Sequence, residues 1–260
     1  MRIALGLEYD GSRFTGWQTQ PGGTAVQDAV ERALREFVGT DVATVCAGRT
    51  DAGVHASYQV VHLDTEVIRP LDAWVRGVNA QLPSAVAVRW SREVPAALHA
   101  RFSATGRRYD YWLLNDPVRS PLAHGRVGWV FRPLDESAMH AAAQALVGQH
   151  DFTSFRAAEC QAKSPVRELR QCDVQRFGRL IRIRVAANAF LHHMVRNLVG
   201  TLVYVGLGRQ STAWPVQVLA ARDRAQAAPT FAAEGLYLTH VQYDPAFDLP
   251  PPADTLPLLA

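Results

Sequence analysis

The sequence is organised around the stretch Cys46-Ala47-Gly48-Arg49-Thr50-Asp51-Ala52-Gly53-Val54-His55-Ala56, which places one carboxylate between two glycines. Because glycine tolerates positive φ and carries no side chain, Gly48 and Gly53 predict a tight turn that a large flat substrate can approach closely. Asp51 has no second carboxylate beside it, which argues against a metal cluster or a two-carboxylate pair within this segment and favours a nucleophile. The structural alternative is that Asp51 bonds its own backbone and Arg49 neutralises it.

Composition limits the class of protein that can carry this turn. The chain has 260 residues, 48% of them hydrophobic and 20% charged, which is typical of a soluble globular protein with one large domain or two ordinary ones. No apolar run reaches the roughly 18 residues of a membrane span. The N-terminal stretch reaches the acid Glu8 too early for a signal peptide and predicts a first strand. We therefore expect a cytoplasmic protein.

The cysteines and the net charge narrow the class further. Cys46, Cys160 and Cys172 are an odd number without Cys-x-x-Cys spacing, so the sequence predicts neither a disulfide framework nor a zinc site. The net charge is +3, and Lys163 is the only lysine, so arginine carries nearly all of the positive charge. A mild basic excess fits a polyanionic partner.

The first hundred residues predict the order β-α-β-β-α-β. Strands are expected over 3–9, 43–45, 58–63 and 85–90, and helices are expected from an N-cap at Thr24 to Gly39 and over 71–78. That order is typical of ferredoxin-like units, in which helices cover one face of an antiparallel sheet. The other face of the sheet is then available for RNA.

The second half repeats the order with longer connections. We expect a strand over 107–114, a helix over 135–147, a hairpin of 166–175 with 180–186, a helix within 190–200, and a last strand after 232–238. Four residues are expected to face inward from the helix over 135–147: Leu134, Ala138, Ala142 and Leu146. Alternation gives the hairpin one apolar face and one basic face that carries Arg182 and Arg184.

The fold class that these patterns predict is α+β, with two ferredoxin-like or RRM-like halves. We expect their antiparallel sheets to join into one extended sheet, with helices on one face and the active-site cleft between the halves. The predicted domains are an N-terminal domain of residues 1–104, which carries Asp51, and a C-terminal domain of residues 105–260. The second domain would carry Arg196 and Leu236 and end in a Pro-rich tail from Pro250.

Three segments combine charge with aromatic or polar side chains. The segment 98–112 interleaves arginines with aromatic rings, a pattern that nucleic-acid grooves use for phosphates and bases, although a strand edge with solvated arginines has the same pattern. The loop 10–23 offers side chains that can stack on bases or bond to them, namely Arg13, Phe14, Trp17, Gln18 and Gln20, and the alternative is that its aromatic rings tuck into the core. The polar loop 154–164 is long enough to reach a partner.

His192, His193 and Arg196 form a further cluster near the start of a predicted helix. Adjacent helical residues point about 100° apart, so the two histidines do not easily share one metal ion. We favour Arg196, just inside this helix, as the partner of a buried anion.

Taken in order, these motifs closely resemble the TruA-type tRNA pseudouridine synthases. The resemblance covers most of the chain and runs through the following stretches: Tyr9-Asp10-Gly11, Gly16-Trp17-Gln18, Gly48 to His55, His99 to Phe102, Arg107-Arg108-Tyr109, Asp151 to Phe155, His192 to Asn197, and Glu234 to Leu238. It implies that Asp51 is the catalytic aspartate, that Arg49 assists base flipping and that Tyr109 packs against the target uracil. It also implies that Arg196 pairs with the Asp51 carboxylate and that Leu236 lines the pocket.

The resemblance extends to partners and cofactors. Members of this family act on uridines 38, 39 and 40 of the tRNA anticodon stem-loop, as homodimers that hold one tRNA across both subunits, without metal or organic cofactor. Segments that match 98–102 and 159–163 touch tRNA in the family. The candidate RNA-binding residues are Arg13, Arg69, Leu98, His99, Ala100, Arg101, Phe102, Arg107, Arg108, Glu159, Cys160, Gln161, Ala162 and Lys163.

The reaction that the resemblance implies breaks the C1′–N1 bond and joins C5 to C1′, without gain or loss of atoms. An ionised Asp51 opposite Arg196 would serve it by adding to C1′, by adding to C6, or by removing a proton from C2′, and the sequence leaves these routes open. Two other functions fit the same residues. One is a pseudouridine synthase for another RNA target, and the other is a non-catalytic protein that binds structured RNA.

Overall fold

The computed structural model of the protein describes residues 1–252 and divides into two compact units. The first unit contains Met1–Thr105 and the described residues from Tyr237 onward, and the second contains Gly106–Leu236. The division expected from the sequence, with a single boundary after residue 104, differs because the last strand returns to the first unit. The predicted tail begins at Pro250, whose carbonyl accepts a hydrogen bond from Tyr58, and residues 253–260 of that tail lie outside the described residues.

The first unit has the predicted order of elements. Its elements are β1 Arg2–Tyr9, α1 Val26–Val38, β2 Val45–Cys46, β3 His55–Asp64, α2 Leu71–Asn79, β4 Val86–Val94 and, apart from its first residue, the last strand of the described residues, β10 Leu236–Gln242. The strands lie in the order β4-β1-β3-β10, and the short β2 also pairs with β3. β1 is antiparallel to both of its neighbours, whereas β10 runs parallel to β3. The mixed α+β class expected from the sequence is confirmed.

The start of α1 corrects one prediction. Thr24 is not the N-cap, because Ala25 occupies that position and its N–H donates to the Asp28 carboxylate at 2.9 Å. The hydroxyl of Thr24 instead bonds that of Thr15. Gly39 ends the helix with φ of 86°, as its position predicted.

The second unit is built around a hairpin beside a long strand. Its elements are β5 Gly106–Asn115, β6 Gly128–Val130, α3 Glu136–Gln144, β7 Gly148–Asp151, β8 Val166–Phe177, β9 Leu180–Ala187, α4 Met194–Gly206 and α5 Trp214–Ala221. The strands lie in the order β5-β9-β8-β7, and β6 pairs in parallel with β5. The sequence patterns did not predict β6, β7 or α5. Along residues 1–252, no helix combines the length and apolar character that crossing a membrane requires.

Two details of the second unit differ from expectation. α3 begins at Glu136, with Asp135 as its cap, so Met139 and Ala143 are buried and Ala138 is only half-buried. The apolar face of the β8–β9 hairpin is confirmed, but its basic face is partly neutralised. Arg184 forms two 2.8 Å hydrogen bonds with the buried Asp110 carboxylate of β5.

Candidate active site

Asp51 lies on the turn that joins β2 to β3, and its side chain is half-buried. The Val54 N–H donates to the Asp51 carbonyl at 3.1 Å, and Gly53 supplies the positive φ of 79° that the turn requires. Gly48 does not adopt a left-handed conformation. The side-chain amide of Gln59 instead bonds both its N–H, at 3.4 Å, and its carbonyl, at 2.6 Å.

The loop after β1 braces this turn from the side. A Cβ on Gly16, which has φ of 104°, would lie 2.9 Å from the Thr50 carbonyl oxygen, and a Cβ on Gly11 would lie 1.9 Å from that of Val54. Trp17 is 1% exposed, and its backbone N–H donates to the Thr50 carbonyl at 2.9 Å. The alternative in which the aromatic ring tucks into the core is therefore correct for Trp17. Arg13, in the same loop, is exposed and remains a candidate for RNA contact.

Two side chains near the turn, those of Arg49 and Cys46, differ in their exposure to solvent. Arg49 is exposed, whereas Cys46, at the end of β2, is buried. Burial raises the pKa of Cys46 to about 11, although the Arg49 and Arg101 guanidinium groups oppose that shift. Cys46 is therefore a neutral thiol at neutral pH, and two positive charges lie close enough to act on this part of the first unit.

The segment 98–102 forms a surface patch with a buried backing. His99 stacks on Phe102 at 4.4 Å between ring centroids, and the Arg101 guanidinium lies 5.6 Å from the Phe102 centroid. Phe102 is 76% exposed, so its ring is accessible to a base. The side chains of Leu98 and Ala100 are fully buried. The Leu98 carbonyl accepts a hydrogen bond from Arg2 at 2.8 Å, and the Ala100 carbonyl accepts one from Tyr243 Oη at 2.6 Å, so these two residues support the patch from within the unit.

Arg69 is the remaining RNA-binding candidate of the first unit. Its guanidinium lies 4.6 Å from the Phe37 ring centroid, and its Nη2 donates to the Phe37 carbonyl at 3.3 Å. The exposed Arg69 side chain is thus restrained at the end of α1.

In the second unit, Tyr109 lies on β5 opposite Val185 of β9. Its ring is 9% exposed and meets Phe190 edge to face, with the centroids 5.1 Å apart. Phe190 was not among the predicted site residues. The neighbours of Tyr109 along β5, Arg107 and Arg108, are half-buried. Arg107 Nη1 donates to the Asn188 carbonyl at 3.3 Å.

Arg196 lies in the first turn of α4, as predicted, but the helix begins later than expected. His193 adopts a left-handed conformation with φ of 60°, so α4 starts at Met194. The angular argument against shared ligation was therefore wrong, since both histidines precede the helix and their ring centroids lie 4.0 Å apart. Arg196 Nε donates to the Phe231 carbonyl at 2.9 Å, and the Phe231 N–H donates to the Arg196 carbonyl at 3.2 Å.

The segment before β10 holds Leu236 against β5. The Trp112 backbone N–H donates to the Gly235 carbonyl at 2.8 Å, and Tyr111 Oη donates to the Ala232 carbonyl at 2.9 Å. A Cβ on Gly235 would lie 2.5 Å from the Trp112 carbonyl oxygen, so this close approach requires glycine. Leu236 itself is 5% exposed, and its N–H donates to the Ala233 carbonyl.

Asn197, next to Arg196, ties three segments of the second unit together. It is fully buried, and its Nδ2 donates to the Phe155 carbonyl at 2.8 Å. Its Oδ1 accepts hydrogen bonds from Thr230 Oγ1 at 2.7 Å and from Arg224 Nη2 at 3.1 Å. Sequence reasoning gave Asn197 no role, although a lone amide inside the apolar run of α4 was a signal that it bonds other segments.

The loop 159–163 is only partly available to a partner. Glu159, Gln161 and Lys163 are exposed, Ala162 is half-buried and Cys160 is buried. Burial acts to raise the pKa of Cys160, but the backbone N–H groups of Ala162 and His192 and the Arg156 guanidinium outweigh burial and lower it. Cys160 therefore anchors this loop, and RNA contact is left mainly to its three exposed neighbours.

Comparison with known proteins connects these residues to a family. The model of the family described as tRNA pseudouridine synthase matches residues 7–103 and 142–244. The tRNA pseudouridine synthase A of Burkholderia multivorans is 57% identical over 251 residues, which span 96% of this chain and 93% of that protein. The tRNA pseudouridine synthase A of Chromobacterium violaceum is 59% identical over 251 residues, 96% of each protein.

A solved structure of a Cbf5–Nop10–Gar1 complex has 12% identity and a TM-score of 0.38, and it covers 91% of this chain and 48% of the solved one. That likeness is too low to support an argument. The family model and the two relatives extend over most of the sequence, and they confirm the resemblance found in its motifs. The chain therefore belongs to the tRNA pseudouridine synthase family.

Proposed function

We propose that this protein isomerises uridine to pseudouridine at positions 38, 39 and 40 of the tRNA anticodon stem-loop, with Asp51 as the essential carboxylate. The observation that carries the proposal is the Asp51 turn in a member of this family. A half-buried carboxylate follows an exposed arginine on a turn whose backbone is held on both sides of that arginine. A protein that only gripped RNA would gain nothing from presenting an acid to a polyanion.

The reaction needs an anion and a base removed from its stack. The C1′–N1 bond breaks, the uracil turns, C5 bonds to C1′, and the proton lost from C5 is balanced by one gained at N1. Extruding the base costs a few kcal/mol, which phosphate contacts and stacking in the pocket must offset. The exposed Arg49 would fill the vacated space, and Tyr109 would supply a flat face for the uracil.

The carboxylate serves any of the three chemical routes. Addition to C1′, addition to C6 and proton removal from C2′ all use the ionised form of Asp51. A carboxylate near C1′ also stabilises the positive charge that develops on the ribose as the glycosidic bond breaks.

Arg196 is the proposed charge partner of that anion. Its Nε is bound to the Phe231 carbonyl, which restrains the plane of the guanidinium group. A restrained guanidinium favours the ionised form of a facing carboxylate and can bond both of its oxygens. Leu236, held by the Gly235 contact with β5, would give the pocket an apolar wall.

RNA binding is assigned to exposed side chains of both units. In the first unit the patch of His99, Arg101 and Phe102 combines a stacking ring with a phosphate-binding charge. In the second unit, Gln161 and Lys163 offer polar contacts. The remaining candidates are Arg13, Arg69, Arg107 and Arg108. We further propose that two copies of the chain form a homodimer that holds one tRNA across both subunits.

The deciding experiment uses unmodified tRNA transcripts tritiated at uracil C5. Isomerisation releases the tritium, and mapping of the product locates each pseudouridine. We expect release that depends on uridines 38, 39 and 40. Release from another position would reject the assigned site and keep the activity. Tight tRNA binding with no release would favour the non-catalytic RNA-binding protein.

A further inference from the structure

A chain of buried polar side chains lies beneath the Asp51 turn. It consists of Gln59 on β3, Tyr9 on β1 and Thr50 in the turn itself, all within the first unit. Gln59 is 0%, Tyr9 3% and Thr50 7% exposed. Burying polar groups is costly unless each is hydrogen-bonded, so such a network constrains the geometry of the groups it joins.

Gln59 extends the β2–β3 ladder beyond the end of β2. Backbone pairing joins Cys46 to Val61, and the Ala47 N–H donates to the Val60 carbonyl at 2.8 Å. At Gly48 a side chain replaces the next backbone rung, because Gln59 Nε2 donates to the Gly48 carbonyl at 2.6 Å and Gln59 Oε1 lies 3.4 Å from the Gly48 nitrogen. The primary amide thus acts as a substitute peptide group and holds the residue before Arg49.

Tyr9 holds the residue after Arg49. Its Oη lies 2.8 Å from Thr50 Oγ1, and Gln59 Nε2 lies 3.4 Å from the same Oη. The Thr50 carbonyl is held as well, by the Trp17 N–H. Arg49 is therefore exposed between two residues, Gly48 and Thr50, whose backbones are fixed by the interior of the unit.

We propose that Gln59 and Tyr9 are positioning residues that set the reach of Arg49 and Asp51 toward the flipped nucleotide. This inference rests on the proposed function, in which Asp51 is the essential carboxylate. A displacement of about 1 Å in a reacting group can cost about 10²-fold in rate. A network that fixes the backbone directly before Asp51 therefore acts on turnover more than on tRNA binding.

The test removes single hydroxyl groups without changing the shape of the core. In Tyr9→Phe and in Thr50→Val, we expect kcat for tRNA to fall by about 10- to 100-fold, with KM within about threefold of wild type. Because both changes break the same contact, the double variant is expected to be little worse than either single one. Thr50→Ser keeps the hydroxyl and is expected to restore kcat to near wild type.

Ser91→Ala is the matched control in the same unit. Ser91 is 4% exposed, and its Oγ donates to the Leu71 carbonyl at 2.7 Å, away from the Asp51 turn. Ser91→Ala removes one hydrogen bond of a buried hydroxyl, as Thr50→Val does, so those two variants are expected to lose similar thermal stability. Only the variants under the turn are expected to lose kcat, which a merely structural role would not produce.

Asp51→Asn in the same assay separates the two claims. Inactive Asp51→Asn with wild-type kcat in Tyr9→Phe and Thr50→Val would overturn the positioning role and leave the proposed function intact. Equal kcat losses in Ser91→Ala and Tyr9→Phe would overturn it too, since the effect would then follow stability. Full activity of Asp51→Asn would overturn the proposed function, and this inference with it. If Gln59→Leu folds, its kcat is expected to be the lowest of the positioning variants.

Discussion

The two charged groups assigned to the reaction are supported in opposite ways. Asp51 lies on a turn without regular structure, and side chains from β1 and β3 hold that turn from beneath. Arg196 lies in the first turn of α4, where the backbone of the helix and the Phe231 carbonyl hold it. A carboxylate on a loop can approach a bulky nucleotide, whereas a helix fixes the backbone position of a charged residue. Buried side chains of two strands thus hold the backbone around Asp51, whereas only helix backbone and one carbonyl group have been described as holding Arg196.

The largest effect is expected from Asp51→Asn, which keeps the shape of the side chain and removes its charge. We expect kcat to fall by more than about 10³-fold, because no neutral amide replaces the anion that each route requires. Binding of tRNA should persist, since the phosphate contacts are assigned elsewhere. Tritium release and filter binding on the same preparation measure the two quantities. A kcat of this variant within about tenfold of wild type, a change of only about 1.4 kcal/mol in the barrier, would remove Asp51 from its assigned role.

Arg196→Met should combine a catalytic loss with a loss of stability, which Asp51→Asn is not expected to share. Removing the Nε donor to Phe231 is expected to lower the free energy of unfolding by about 1–3 kcal/mol. Loss of the charge is expected to lower kcat by about 10²-fold. Denaturant unfolding and single-turnover kinetics give the two values.

Arg196→Lys is the matched variant, because it keeps the charge and loses the planar fork. It should retain more activity than Arg196→Met and less than wild type. Near-normal turnover of Arg196→Met would show that the helix-borne group plays no part in the reaction.

A smaller effect is expected from Arg101→Ala and Lys163→Ala, one in each unit. Each phosphate contact that is lost should reduce the slope of log affinity against log salt by about 0.7 to 0.9 and weaken tRNA binding. Titrations at several salt concentrations measure this slope. Arg76→Ala, which breaks only the exposed ion pair with Asp72 on α2, should leave the slope unchanged. If Arg101→Ala and Lys163→Ala also leave it unchanged, those contacts do not exist.

The smallest effect concerns Asp151, at the end of β7 in the second unit. The pKa of Asp151 lies below its ordinary value of 3.8, mainly because the Thr153 hydroxyl donates a hydrogen bond to the carboxylate. Burial opposes this lowering, whereas the Thr153 backbone N–H and the Arg222 charge add to it. The anion therefore stabilises the folded state above about pH 3.8, and this contribution is lost as pH falls through the lower folded-state pKa. Asp151→Asn should lower the free energy of unfolding by about 1 kcal/mol at pH 7.

That difference between wild type and Asp151→Asn should shrink on acidification below about pH 4, and urea unfolding at pH 7 and pH 3 measures it. In the first unit, Arg2 lowers the pKa of Asp64 in the same direction, but the Asp64 side chain is 65% exposed. Asp64→Asn should therefore cost less than Asp151→Asn. An equal difference at both pH values would contradict the assigned cause.

Elements with strong periodicity were predictable from the sequence, and elements defined by distant partners were not. β1, α1, α2, β5 and the β8–β9 hairpin follow from alternation or helical spacing. β6 and β7 are short and have no alternation to detect. The return of β10 to the first unit depends on pairing of Tyr237 with His55, which no local pattern encodes. His193 precedes α4 rather than joining it, because its backbone is left-handed.

The candidate site shows the same division. Asp51 and Arg49 were proposed because glycines and charge mark the turn, and Arg196 because it is a charge at the start of an apolar helix. The support of the site was missed. Gln59 interrupts an apolar strand and resembles a tolerated polar residue until the structure shows Gly48 and Tyr9 within reach of its amide. Asn197 was missed for the same reason, since its partners Phe155 and Thr230 are distant in sequence.

The parallel pairing of β10 with β3 has a consequence for synthesis on the ribosome. Translation delivers all of Gly106–Leu236 before the strand that completes the first unit, so a nascent chain can finish its second unit while part of the β3 edge still awaits a neighbour. A product terminated before Tyr237 would contain Asp51, Tyr109 and Arg196, yet it would lack the ring that stacks on His55 just after the turn. The contact that Tyr237 makes with His55, beside the Asp51 turn, therefore forms only after the second unit has been translated.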